Sequence, residues 1–196
     1  MTATLIQSSI QSLAIQTATW TLEEYHRMIE SGVLDNRRVE LIRGYIVEMP
    51  PEGEPHAYSI SESGEYLTET LGSLAKIRYG HPITLPDDSE PEPDIAVVQR
   101  LGREYLAHHP YPENIFWIIE YSDATLKKDL TLKSQIYAAV DIPEYWVVDL
   151  KRRVLIVFRE PKNGQYASQT EYVEGQIASL SFPNIPLSVS SIVDKV

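Results

Sequence analysis

Pro93-Asp-Ile-Ala-Val-Val98 and Ile115-Phe-Trp-Ile-Ile-Glu120 are two short apolar runs, one opening behind an aspartate and the other closing on a glutamate. Runs of this length without polar alternation are expected as strands buried on both faces of a sheet. Glu144-Tyr-Trp-Val-Val-Asp149 is a third such run, again ended by an acid. A carboxylate at the lip of a buried strand is costly to desolvate, and a hard cation would offset that cost. Magnesium prefers carboxylate oxygens and keeps several of its waters, so one or two acids suffice. On adjacent strands Asp94 and Glu120 would stand only ~5 Å apart across the sheet. Two acids that close repel each other, and a divalent ion relieves the repulsion.

Upstream of these runs, Thr21-Leu-Glu-Glu24 reads as a capping box opening a short helix, with Gly32 suited to its end. The alternation around Arg43-Gly44 in residues 39–49 predicts a hairpin, which Pro50-Pro51 terminates. Ala57, Ile60, Gly64, Leu67, Leu71 and Leu74 recur at helical spacing and predict a helix over 56–76. A strand over 77–85 and an acidic loop then lead to Asp94. Downstream, an irregular connection spans 100–112 and a helix is expected over 126–139. Lys151-Arg-Arg153 turns into a strand over 154–158, and weaker strands are expected over 165–173 and 177–180. The order is mixed α/β, not the regular alternation of a doubly wound sheet.

The chain has 196 residues, 43% hydrophobic and 23% charged, which suits one core. The expected organisation is an N-terminal tail or arm over residues 1–19 and a single domain over 20–196. With no cysteine, disulfides and thiolate metal sites are excluded, and any metal must use oxygen or imidazole ligands. No apolar run approaches the ~20 residues of a membrane span. The N-terminus lacks the basic start and apolar core of a signal peptide, and the expectation is a cytoplasmic protein. The net charge of −11 repels duplex DNA at long range. That charge is uneven: residues 127–159 carry a net +3 and the remainder −14.

The helix after Glu120 brings a cation. Asp129 and Lys133 are four apart and share a helix face, so a helix packed beside the strand end would carry the Lys133 ammonium to the same pocket. Pro93-Asp94, then Glu120, then a lysine resembles the PD-(D/E)XK nuclease superfamily. The closer resemblance is to the Uma-type family of putative restriction endonucleases, formerly a domain of unknown function. It is carried by Val39-Glu-Leu-Ile-Arg-Gly44, Pro93-Asp-Ile-Ala-Val-Val98, Ile119-Glu-Tyr-Ser122, Asp129-Leu-Thr-Leu-Lys133 and Ile142-Pro-Glu-Tyr-Trp-Val-Val-Asp149. It implies a restriction-endonuclease-like core: a central mixed sheet flanked by helices, with an added N-terminal hairpin and C-terminal strands.

The resemblance also implies roles. Asp94, Glu120 and the Tyr121 backbone carbonyl would bind Mg2+ or Mn2+. The superfamily lysine normally lies two residues after the acid, where this chain has Ser122; Lys133 resembles the migrated lysine of relatives. Glu40 corresponds to an accessory acid. Arg43 and Asp141 depart from residues common in relatives without removing a ligand. His56, Lys127 and Lys128 are candidate substrate contacts, although each also reads as an ordinary helix-start residue. Tyr145 and Trp146 read as core, and Asp149 as a turn residue. The expected activity is hydrolysis of phosphodiester bonds in nucleic acid, DNA foremost, by a homodimer. The alternatives are a non-catalytic binding or regulatory module on the same fold, and a hydrolase of a smaller phosphoester.

Overall fold

A computed structural model describes residues 17–86 and 88–193. The first helix, α1 (Leu22–Glu30), starts at the expected capping box: Thr21 and Glu24 satisfy each other's backbone N–H groups. Gly32, with φ of 75°, follows its end. The hairpin β1 (Val39–Ile42) and β2 (Tyr45–Glu48) turns on Arg43 and Gly44, both at positive φ. Two such residues in a row give the tight turn whose twist matches paired strands.

Helix α2 (Glu54–Leu71) is shorter than the 56–76 expectation at its C-terminal end. Gly72 at φ 52° ends it, so Leu74 falls outside the apolar stripe and is 53% exposed. The strand expected over 77–85 is confined to β3 (Lys76–Tyr79), since Gly80 also takes positive φ. Ile83 and Leu85 are buried from irregular chain instead.

The principal sheet has six strands in the order β3, β4 (Ile95–Val98), β5 (Ile115–Ser122), β6 (Glu144–Asp149), β7 (Val154–Lys162) and β8 (Gln165–Tyr172). All pairs are antiparallel except β5 with β6. A parallel pair needs a crossover, and the helical segment between them supplies it. That segment is α3 (Leu126–Lys128), a π-helical turn over Asp129–Lys133, and α4 (Ser134–Ala139), where one continuous helix was expected. β7 runs on past its expected end at residue 158, and β8 follows its expected span to within one residue. The strand expected over 177–180 is only β9 (Gln176–Ile177), paired with β10 (Leu187–Ser188) and followed by α5 (Ser190–Val193).

Both faces of β4, β5 and β6 are covered, which explains their unbroken apolar character. One face carries Val97, Trp117, Ile119 and Trp146 against Leu67 and Leu71 of α2 and Ile192 of α5. The other carries Ala96, Ile118 and Val147 against Ile136 and Tyr137 of α4. Asp94 and Glu120 continue this second face to the sheet's edge. Of the tail or arm expected over residues 1–19, only residues 17–19 lie among those described. Among the described residues, no helix is long and apolar enough to cross a membrane.

Candidate functional site

The β4–β5 register sets the two acids side by side. Ile95 pairs with Ile119, so the next position puts Asp94 opposite Glu120. Directly opposed residues on an antiparallel ladder bring their Cβ atoms to ~4.5–5.5 Å on one face. Asp94 Oδ2 also accepts the backbone N–H of Tyr121 at 2.6 Å, which fixes the carboxylate at the strand end. The crossover helix then delivers Lys133, whose Nζ donates to Glu120 Oε1 at 2.7 Å. Tyr137, one helical turn further on, donates its hydroxyl to the same oxygen at 2.9 Å.

Glu40 arrives from the hairpin and is fully buried. Its neighbour Leu41 forms a bridge with Glu90, and the backbone N–H of Glu92 donates to Glu40 Oε2 at 3.3 Å. The hairpin is thereby sewn to the loop that runs into Asp94. Lys128 Nζ lies 2.6 Å from Glu40 Oε1 and Lys133 Nζ 3.7 Å from its Oε2. Lys133 therefore stands between two buried acids.

These positions set the charges. Burial pushes the Glu120 carboxyl above the usual carboxylate range, with Lys133 pulling back. Lys133 and Tyr137 both donate to its Oε1. Burial alone would lower the Lys133 ammonium, but Glu120 and Glu40 hold it above its ordinary value and charged. Burial likewise works against ionised Glu40, yet Lys133 and then Lys128 bring its carboxyl below the usual value. Taking such charges out of water costs several kcal/mol per ion, and ion pairing seldom returns more than it costs. A buried cluster of this kind is weak evidence for stability and needs another reason to exist.

The site opens onto a cleft of about 700 Å3 lined by Glu40, Asp94, Glu120, Lys128 and Lys133. His56 reaches it from the first turn of α2. Its Nε2 lies 2.8 Å from the Tyr121 carbonyl and 3.3 Å from Asp94 Oδ2, and its Nδ1 3.2 Å from Glu52. Burial would lower the imidazole, but hydrogen bonding to Asp94 raises it to about 9. His56 thus links Asp94 to the Tyr121 carbonyl while lining the cleft. Lys127 is exposed and does not line the cleft, whereas Lys128 does.

Asp129 and Lys133, four apart on the crossover helix, take separate partners. Ser122, at the place where the superfamily has its strand lysine, donates to Asp129 Oδ2 at 2.7 Å. This clamps the crossover helix to the strand end and leaves Lys133 for Glu120. Tyr137 was not singled out from sequence, although its spacing of four from Lys133 puts it on the same helix face. Tyr145 and Trp146 are core, as expected. Asp149 Oδ1 accepts the backbone N–H groups of Lys151 and Arg152, the turn role expected of it. Glu144 is a buried anchor: it accepts from Trp146 Nε1, Arg159 Nε and the backbone of Leu180, each at 2.8 Å.

The donor set fits a hard divalent cation. Among the described residues, Asp94 Oδ1 and Glu120 Oε2 accept no hydrogen bond, and His56 Nε2 links the Tyr121 carbonyl to the Asp94 carboxylate. No group of three or more His, Asp or Glu side chains suited to a metal occurs among the described residues. Asp94, Glu120 and the Tyr121 carbonyl would hold the ion, with waters completing its shell, as magnesium prefers.

A mixed six-stranded sheet flanked by helices, with two acids at one strand end, is a restriction-endonuclease-like nuclease fold. The chain belongs to the Uma2 family, described as "Putative restriction endonuclease", whose model matches residues 22–190. A crystal structure of a "putative nuclease belonging to DUF820" from Anabaena variabilis ATCC 29413 is similar. Its TM-score is 0.69 at 19% identity, with 88% of this chain and 97% of that chain covered. No curated protein matches.

Proposed function

We propose that this protein is a divalent-metal-dependent nuclease that hydrolyses phosphodiester bonds of nucleic acid, DNA foremost. The carrying observation is the junction of Asp94, Glu120 and Lys133 at one strand end, where Lys133 donates to Glu120 at 2.7 Å. Asp94, Glu120 and the Tyr121 carbonyl hold Mg2+ or Mn2+. When bound, such an ion supplies Lewis acidity at a phosphoryl oxygen and a more acidic water.

The chain's own residues do the rest. Lys133, held protonated between Glu120 and Glu40, is a poor base; its ammonium offsets negative charge growing on the phosphate. Glu40 keeps Lys133 charged and aimed, and Lys128 shares that acid. His56 fixes Asp94 and the Tyr121 carbonyl relative to each other. Tyr137 holds the rotamer of Glu120.

The test is cleavage of labelled oligonucleotides in Mg2+ or Mn2+ by the parent and by Glu120→Gln. The reading expects metal-dependent cleavage that the variant lacks while its melting remains cooperative. Equal cleavage by both removes the assignment. A folded parent that neither cleaves nor takes up metal favours a binding module. That second reading has an observation of its own, since Lys128 and Lys133 are already paired with acids.

A further inference from the structure

β3, at the edge of the principal sheet, presents two unlike faces. It turns Ile77 and Tyr79 toward α2, where a Cβ on Gly64 would strike the Tyr79 ring. Lys76 and Arg78 alternate with them and pair with Val98 and Ala96, so they point to the face that carries Asp94 and Glu120. The strand leads directly to the acids. Gly80, the residue after Tyr79, donates its backbone N–H to the Asp94 carbonyl at 3.0 Å. At ~3.4 Å per residue, Arg78 stands ~7 Å and Lys76 ~14 Å along the strand from that point. At the far end Lys76 and Arg100 line a second cavity, of about 360 Å3, together with Gly102 and Tyr105.

These cations have no counter-charge. Among the described residues, Lys76, Arg78 and Arg100 have no carboxylate within ion-pair distance. The cleft is the reverse: its Lys128, Lys133 and Lys151 are each within 2.7 Å of a carboxylate. In a chain of net charge −11, three neighbouring cations left unpaired form a local exception. Arg78 is half-buried, and its Nε is buried without a hydrogen-bond partner. Its Nη2 contacts the Pro82 carbonyl and His109 Nδ1, each at 3.4 Å, and its guanidinium lies 5.5 Å from the centre of the Tyr105 ring. Burial lowers this guanidinium from its ordinary value, and no acid offsets the effect. Arg100 Nη1 donates to the Gly72 and Ala75 carbonyls at 3.4 and 3.3 Å, while its Nε and Nη2 have no partner among the described residues. His81 senses the same field: burial, then the Arg78 and Lys76 cations, hold its imidazole below the ordinary value. Charge withdrawn from water is normally paired, so the strip calls for an anion from outside the chain.

We propose that Lys76, Arg78 and Arg100 form a binding strip for the sugar-phosphate backbone of nucleic acid, running along the sheet edge that ends beside Asp94. The ligand is a row of phosphates: the ~14 Å from Gly80 to Lys76 spans about four steps of a duplex strand at ~3.4 Å each. Cations that neutralise phosphates supply sequence-independent affinity, which the acid-bound lysines of the cleft do not provide. The choice of ligand rests on the nuclease reading of Asp94 and Glu120.

The experiment uses the full chain and a short fluorescein-labelled DNA duplex in several sequences. Anisotropy is read in Ca2+ over a series of salt concentrations, and cleavage in Mn2+. The parent binds, and its affinity falls as salt rises. Lys76→Gln and Arg78→Gln each weaken binding to every sequence alike and reduce the log–log salt slope by about 1. Arg78→Lys, which keeps the charge, retains the parent slope. Lys162→Gln, the same loss of charge at an exposed site on β7, across the sheet from β3, leaves the slope unchanged. Lys76 is exposed and makes no hydrogen bond among the described residues, so Lys76→Gln tests the strip even if Arg78→Gln fails to fold. A parent slope in Lys76→Gln, or an equal fall in Lys162→Gln, overturns the strip, while cleavage in Mn2+ leaves the nuclease reading standing. Binding with the expected slopes but no cleavage supports the strip and overturns the nuclease reading. Neither binding nor cleavage overturns both.

Discussion

Lys133 Nζ lies 2.7 Å from Glu120 Oε1, delivered by the π-helical turn Asp129–Lys133. One-turn π insertions inside helices are frequently found at functional sites. Here the turn accompanies a division of labour. Asp129 binds Ser122 on the strand, and Lys133 is left for the two buried acids. Replacing Lys133 with Met removes the cation and leaves Glu120 and Glu40 buried together. Without metal this variant should lose about 3–5 kcal/mol of stability, read by urea unfolding. Cleavage should fall by about 100-fold or more. Saturating Mn2+ should restore more stability to this variant than it adds to the parent, because the ion supplies the missing positive charge.

Glu40 gives the protein a specific acid sensitivity. Its carboxyl is held below its ordinary value of 4.5 because Lys133 and Lys128 outweigh the effect of burial. A depressed folded-state value stabilises the fold above the unfolded-state value and loses that contribution as pH falls through the folded one. The stability difference between the parent and Glu40→Gln should therefore be widest above about pH 4.5 and shrink as the solution becomes more acidic. Unfolding free energies across the acid range check it; a difference that grows toward low pH contradicts the assignment.

Gly64 and Tyr79 should couple. Gly64→Ala drives a methyl into the Tyr79 ring and should cost about 1–3 kcal/mol despite the gain in helix propensity. Adding Tyr79→Ala should recover most of it, leaving a coupling energy of about 0.5–3 kcal/mol in a double-mutant cycle. Additive losses would show that the ring does not lie where the helix leaves room for it.

Much of this was legible from the chain because local chemistry and tertiary placement agree. The Thr21–Glu24 capping box, the Arg43-Gly44 turn and the three apolar runs each carry their own short-range cause. Asp94, Glu120 and Lys133 could be named because carboxylates at strand ends and a lysine one helix later are a compact pattern. Other features depended on contacts between distant segments. His56 reads as a helix-start residue, and only the packing of α2 across the end of β5 gives it the Tyr121 carbonyl. The end of α2 was missed because Leu74 continues the spacing, while Gly72 turns the backbone away. Lys127 and Lys128 are adjacent in sequence, yet the helix turns only Lys128 to the cleft.

The most direct measurement is a metal titration followed by melting temperature, made on the parent, Asp94→Asn and Glu120→Gln. A site built from these two acids should give the parent a saturable rise in Mg2+ or Mn2+, worth about 2.7 kcal/mol at a hundred times the dissociation constant. Both variants should melt cooperatively without that rise. A parent that does not respond, or variants that respond as the parent does, would contradict an ion held between Asp94 and Glu120.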